Sequence, residues 1–156
     1  MAEGQPTELV AWASELLETE RVGRLGLVDE DGAPRVLPVT FAVADGVIWS
    51  AIDQKPKRSG EPARLRFLRR NPRAALAVDQ YSDNWEELAW VQVLGGVRIL
   101  DVTEATAGLD ALTAKYEQYR NQTPPGPVLA LAPERYLWWR AADPPDRGAR
   151  SGDLGG

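Results

Sequence analysis

The chain has 156 residues, 44% of them hydrophobic and 26% charged, with a formal net charge of −5. That size and balance suit one soluble globular domain with its own core, and no run approaches the roughly 18 apolar residues of a membrane span. There is no cysteine and no histidine, which excludes disulfides, thiolate nucleophiles, ordinary zinc sites, a Ser-His-Asp triad and histidine-ligated haem. Acid–base work at neutral pH would fall to a perturbed carboxylate, Lys or Tyr. An enzyme of this composition is therefore expected to place its chemistry in a bound cofactor, which the protein orients. The opening MAEGQPTELVAW lacks a basic-then-apolar leader pattern, so a cytoplasmic location is the expectation.

PTELVAWASELLETE reads as a helix, with Pro6 and Thr7 as start signals. Leu9, Trp12, Ala13, Leu16 and Leu17 follow the spacing of one apolar helical face. VGRLGLVDEDGAPRVLPVTFAVADGVIWSAI reads as three strands separated by the turn chemistry of EDGAP and ADG. In the second of these, Leu37, Val39, Phe41 and Val43 share a face. Pro38 interrupts the pattern and removes a ladder donor, so it marks either a protected sheet edge or a gap where a ligand meets backbone. QKPKRSGEP has loop composition. PARLRFLRRN is a short helix ended by Pro72, with Leu65 and Leu68 facing the core. AALAVDQY is a strand, YSDNWEELAW an acidic and aromatic connection, and WVQVLGGVRILDV a long strand in which Gly95-Gly96 mark a bulge. TEATAGLDALTAKYEQYR is a helix with Leu109, Leu112, Tyr116 and Tyr119 along one side, and RYLWWRA is the final strand. Residues 1–142 form the domain, and the Pro/Gly-rich tail 143–156 is expected to be disordered. Helices do not alternate regularly with strands, which argues against a parallel sheet. The fold expected is mainly β with α: a small barrel of six mostly antiparallel strands with flanking helices.

The charge is unevenly spread. Between Lys55 and Arg73 lie eight of the 18 Lys and Arg against Glu61 alone, a local net of +7 that leaves −12 on the remainder. A solvated basic helix is the plain reading. Nucleic-acid binding is opposed by the acidic remainder and by the shortness of the basic span. A small-polyanion site is the third reading. Lys55, Lys57 and Arg58 fall within four loop residues that Pro56 stiffens, and their cationic groups would suit a phosphate. No Walker or Rossmann glycine pattern is present.

The order GAPRVLPVTF, VIWSAID, QKPKR, helix, RRNPRAALAVDQY resembles the pyridoxamine 5′-phosphate oxidase-like split β-barrel family of flavin and deazaflavin proteins, the FMN-binding split barrels. The continuation YSDNWEELAWVQVLGGVRIL is most similar to the coenzyme F420-dependent branch, in which a KPKR loop and a DNWxxLxWVxxxG segment occur together. The resemblance spans residues 8 to 141. It implies a cytoplasmic homodimer with two cofactor sites at the subunit interface, acting on a small-molecule substrate without nucleic acid or membrane. It also implies that the cofactor phosphate meets the Lys55-Pro56-Lys57-Arg58 loop, with Arg64 as a further carry-over. The ring would rest on the backbone of Leu37, Pro38, Val39 and Thr40 and of Trp49, Ser50 and Ala51. The partner would close the pocket with part of the Tyr81–Trp90 segment, and Trp85 and Trp90 are candidate walls for the ring.

The function implied is an F420-dependent oxidoreductase that transfers hydride from reduced deazaflavin to a small unsaturated organic acceptor. One alternative is flavin mononucleotide as the cofactor, although Asp53-Gln54-Lys55-Pro56-Lys57 replaces the SxK pattern of the family's flavin-mononucleotide oxidases. The other is a carrier that binds the cofactor without turnover. Trp12 and one of Trp138 and Trp139 read as core or dimer-interface residues. No catalytic side chain and no metal site is identified.

Overall fold

The computed structural model of the protein describes residues 2–4, 9–52 and 60–142. Eight strands and four α-helices follow one another as β1 (Ala2–Gly4), α1 (Ala11–Thr19), β2 (Gly23–Val28), β3 (Pro34–Val39), β4 (Ala42–Ala44), β5 (Val47–Ala51), α2 (Ala63–Arg70), β6 (Arg73–Gln80), β7 (Ala89–Leu100), α3 (Thr106–Lys115), α4 (Glu117–Asn121) and β8 (Val128–Arg140). A 3₁₀ turn at Trp85–Glu87 joins β6 to β7.

The sheet is antiparallel and runs β3-β2-β6-β7-β8-β5-β4, with β1 pairing to β8 off this path. It is not closed. The expectation of a six-stranded barrel is corrected to a seven-strand open path, for two local reasons. The run RVLPVTFAV is two strands, because the ladder stops at Val39 and restarts at Ala42. The last strand begins at Val128 rather than at Arg135. Two helices also differ from expectation. Helix α1 starts at Ala11, after an extended Val10, rather than at Pro6 or Thr7. The expected single helix near the C-terminus is two, broken at Tyr116, whose ψ of 117° is not helical.

Alternation along the strands puts Leu25, Leu27, Leu76, Val78, Val91 and Val93 into one core with Val39, Phe41 and Ile48. That core is capped by Ala13, Leu16 and Leu17 of α1 and by Leu65, Phe67 and Leu68 of α2. A second core lies on the opposite face of β5 and β8, where Trp49, Ala51, Val128 and Ala130 meet Ala105, Leu112 and Tyr119. VIWSA is buried along nearly its whole length, Ser50 included, because β5 is covered on both faces. Trp12 and Trp138 pack against the first core, while Trp139 is exposed.

The bulge lies at the predicted place. The register of β7 against β8 slips between Leu94 and Gly95, so that Glu134 is the extra residue. Gly95 is required there because a Cβ would sit 1.9 Å from the Ala132 carbonyl oxygen. That contact is with backbone, which cannot swing aside. Gly95→Ala is expected to lower stability by about 2–3 kcal/mol, read as a drop in the urea unfolding midpoint.

Candidate functional site

The open sheet leaves two strand edges facing each other. Strand β3 pairs only with β2. The ladder between β4 and β5 ends at Ala42 opposite Trp49, while β5 continues along β8 to Ala51 opposite Val128. Ser50 and Ala51 therefore have a strand on one side and none on the other. These edges meet at Thr40, whose carbonyl accepts a hydrogen bond from Ser50 Oγ at 2.7 Å. Ser50 is the one buried polar residue among the described residues.

A cleft of about 170 Å³ opens at this junction, lined by Val22, Pro38, Val39, Thr40, Ser50, Ala51 and Arg64. Six of these seven were candidates from sequence. Val22, an exposed apolar residue just before β2, carried no sequence signal. Pro38 lies on an edge strand, as one of its sequence readings had it, and lines the cleft. Leu37 packs against the first core, and the Trp49 side chain lies in the second, its Nε1 donating to the Ala44 carbonyl at 3.2 Å. Tyr81, Trp85 and Trp90 do not line the cleft of their own chain. Tyr81 and Trp85 are each 71% exposed, and Trp90 stands opposite Trp139 in the β7–β8 ladder. Lys55, Pro56, Lys57 and Arg58 fall outside the described residues, as does the tail from residue 143. The chain leaves β5 at the cleft and is described again from Gly60, two residues before the cap of α2.

Behind the cleft, the two residues between β3 and β4 are held by tyrosines. Thr40 Oγ1 and Tyr119 Oη share a hydrogen bond of 2.6 Å. The Tyr116 hydroxyl accepts from the Phe41 N–H at 3.1 Å and lies 2.9 Å from the Phe41 carbonyl and 2.8 Å from that of Arg21, either of which its single proton can serve. Burial pushes the Tyr116 phenol up from its ordinary range, although the Phe41 N–H and Arg21 pull the other way. The sequence presented Tyr116 and Tyr119 only as an apolar face. Their hydroxyls meet the two residues where the β-run breaks, and the helix itself breaks at Tyr116.

Lys115 completes this wall. Its Nζ stands 3.8 Å from the centroid of the Phe41 ring and donates to the Leu17 carbonyl at 3.4 Å, while Arg21 donates to the carbonyl of Lys115. The ends of α1 and α3, both electronegative, thus exchange cations. Burial, reinforced by Arg21, lowers the Lys115 pKa from 10.5 to about 8 against the opposing pull of Glu20 and Glu18.

Among the described residues, the lining offers apolar surface, strand-edge backbone, two hydroxyls and one guanidinium, with no carboxylate, Lys or Tyr to move a proton. Among the described residues no group of three or more His, Cys, Asp and Glu is placed to hold a metal. A larger cleft of about 710 Å³ lies between α2 and β7, but Glu61, Asp101 and Glu104 on its rim oppose a phosphate ligand. Among the described residues, three arginines of the basic run are paired with carboxylates. Arg66 pairs with Glu30 at 3.1 Å, Arg73 with Glu134 at 2.7 Å, and Arg69 with Glu61.

The family profile described as pyridoxamine 5′-phosphate oxidase matches residues 11–140. Among solved structures, a conserved hypothetical protein from Mycobacterium tuberculosis is similar with a TM-score of 0.69 at 21% identity, over 86% of each chain. A FAD-binding protein from Mesorhizobium loti gives 0.59 at 23% identity, over 88% of this chain and 99% of that one. A heme binding protein from Mycobacterium smegmatis gives 0.61 at 21% identity, over 85% of this chain and 55% of that one. At these identities the likeness is one of fold. No curated protein matches the chain.

Lys115 gives the site a measurable signature. Between about pH 8 and the ordinary lysine range the unfolded chain binds a proton that the folded chain lacks, so stability rises with pH across that window. The penalty is fully present below pH 8 and fades above it. The urea midpoint of the wild type is expected to gain on that of Lys115→Met between pH 8 and 10. Parallel curves for the two proteins would show that the amine is not desolvated.

Proposed function

Because the chain belongs to the pyridoxamine 5′-phosphate oxidase family, we propose that it is an F420-dependent oxidoreductase acting on a small unsaturated organic substrate. The observation that carries this reading is the gap between the unpaired edges of β3 and β5, with Arg64 beside it. The residues present fit such a cofactor. Pro38, Val39 and Ala51 offer apolar surface to a flat ring. The uncovered backbone of Ser50 and Ala51 offers polar atoms at its margin. Arg64 suits an anion, and Lys55, Lys57 and Arg58 follow β5 directly in the chain. When bound, reduced deazaflavin supplies the hydride.

The chain's own part in this reading is to bind, orient and exclude water. Ser50, fixed to the Thr40 carbonyl, sets the spacing of the two lips. The cleft is smaller than the roughly 300–1,000 Å³ of ordinary small-molecule pockets, so the described residues of one chain enclose only part of the ligand. A homodimer answers that shortfall. In it the exposed Tyr81 and Trp85 of the partner, carried on a segment with Asp79, Asp83, Glu86 and Glu87, would close the pocket.

A flavin in place of deazaflavin is the second reading, favoured by the likeness to a FAD-binding protein. A carrier without turnover is the third, favoured by the lack of a proton-moving side chain among the described residues that line the cleft. Titration of the purified protein with F420 and with flavin mononucleotide, followed by fluorescence, separates the first two. Single-turnover hydride transfer to a panel of enones and quinones decides the third. The triple variant Lys55→Ala, Lys57→Ala, Arg58→Ala is expected to bind F420 at least tenfold more weakly, since charge-assisted phosphate contacts are the strong ones. Unchanged affinity would sink the phosphate assignment.

A further inference from the structure

The two lips of the cleft lie beyond the sheet ladders, since β3 has no strand on the edge that faces the gap and the β4–β5 ladder ends at Ala42 opposite Trp49, one residue short of Ser50. They are held by a relay of hydroxyls. Tyr119 Oη and Thr40 Oγ1 share a hydrogen bond of 2.6 Å, and Ser50 Oγ donates to the Thr40 carbonyl at 2.7 Å. The relay runs from α4 through Thr40, just past the end of β3, to β5. Its outer member is anchored. Tyr119 is 7% exposed, sits in the second core, and meets the Tyr116 ring edge-on at 5.6 Å. Phe41, next in the chain, is clamped by Tyr116.

The Thr40 side chain is thereby turned to the protein, and its carbonyl is aimed at β5. Without the Tyr119 contact, Thr40 Oγ1 would be free to rotate, and the Thr40 peptide would be held from the protein side only through the Phe41 N–H, which donates to Tyr116. Neither tyrosine lines the cleft.

We propose that Tyr119 is a positioning residue for the ligand of this cleft, acting through Thr40 to fix the separation of the Thr40 and Ser50 lips. The inference rests on reading the cleft as the cofactor site. A tyrosine that served only to hold α4 on the sheet would change stability and leave affinity alone.

The test is a double-mutant cycle on the full chain, using F420 and flavin mononucleotide as probes, with urea midpoints of the free proteins recorded alongside. Tyr119→Phe and Thr40→Val are each expected to weaken binding of the cofactor that the wild type takes by about five- to tenfold, the scale of one net hydrogen bond. The double variant is expected to bind no more weakly than Tyr119→Phe, because both changes break the same relay. Thr40→Ser, which restores the hydroxyl, is expected to recover affinity lost in Thr40→Val. Tyr119→Phe with wild-type affinity, or losses that add in the double variant, would overturn the proposal. If Tyr119→Phe does not fold, equal affinities for Thr40→Val and Thr40→Ser overturn it alone. A wild type that binds neither probe overturns the cofactor reading itself, and is recognised by failing before any variant is compared.

Discussion

One phenol hydroxyl stands in for a missing strand. At Phe41 the chain has left β3 and has not yet entered β4, and the Tyr116 hydroxyl meets both its N–H and its carbonyl. Buried backbone polar groups must find partners, and an unmade bond there would forfeit the full desolvation penalty. With this contact the sheet can stop short of closing without orphaning its backbone. The cleft lined by Pro38, Thr40 and Ser50 opens at that interruption. The Phe41 side chain is fully buried in the first core, so the same residue joins the opening to the hydrophobic interior.

Charge is organised around this opening in two layers. Close to it, Lys115 and Arg21 occupy the converging ends of α1 and α3, where the helix dipoles favour cations and Phe41 and Tyr116 offer their ring faces. Farther out, Arg66, Arg69 and Arg73 form ion pairs with Glu30, Glu61 and Glu134. Those pairs are exposed and so contribute little stability. What they do is dilute a cationic run that looks undivided in sequence.

Much of the architecture was legible from residue pattern. Helix α2 and strands β6 and β7 follow from apolar spacing and from Pro72, and the bulge follows from Gly95-Gly96. Pro38 flagged the edge that borders the cleft, and Thr40, Ser50, Ala51 and Arg64 were candidates before any coordinates. What escaped was set by tertiary contacts. The alternation of Leu37, Val39, Phe41 and Val43 survives as shared core burial while the ladder beneath it breaks, so periodicity alone joined two strands into one. The start of β8 was hidden because Pro133 and Glu134 sit at the bulge and read as loop. The break at Tyr116 has no glycine or proline to announce it. Its reason is the hydroxyl at Phe41, 75 residues away in the chain.

Strand β5 is packed on both faces, against the first core through Ile48 and against α3 through Trp49, where Gly108 leaves no room even for a Cβ. Strand β3 is an exposed edge, with Val36 71% accessible and Pro38 open to solvent. The two sides of the opening therefore differ in how freely they can be rewritten. A lineage of such proteins can drift in ligand preference along β3 while β5 stays nearly frozen, so variation among relatives should collect on one bank of the cleft and spare the other.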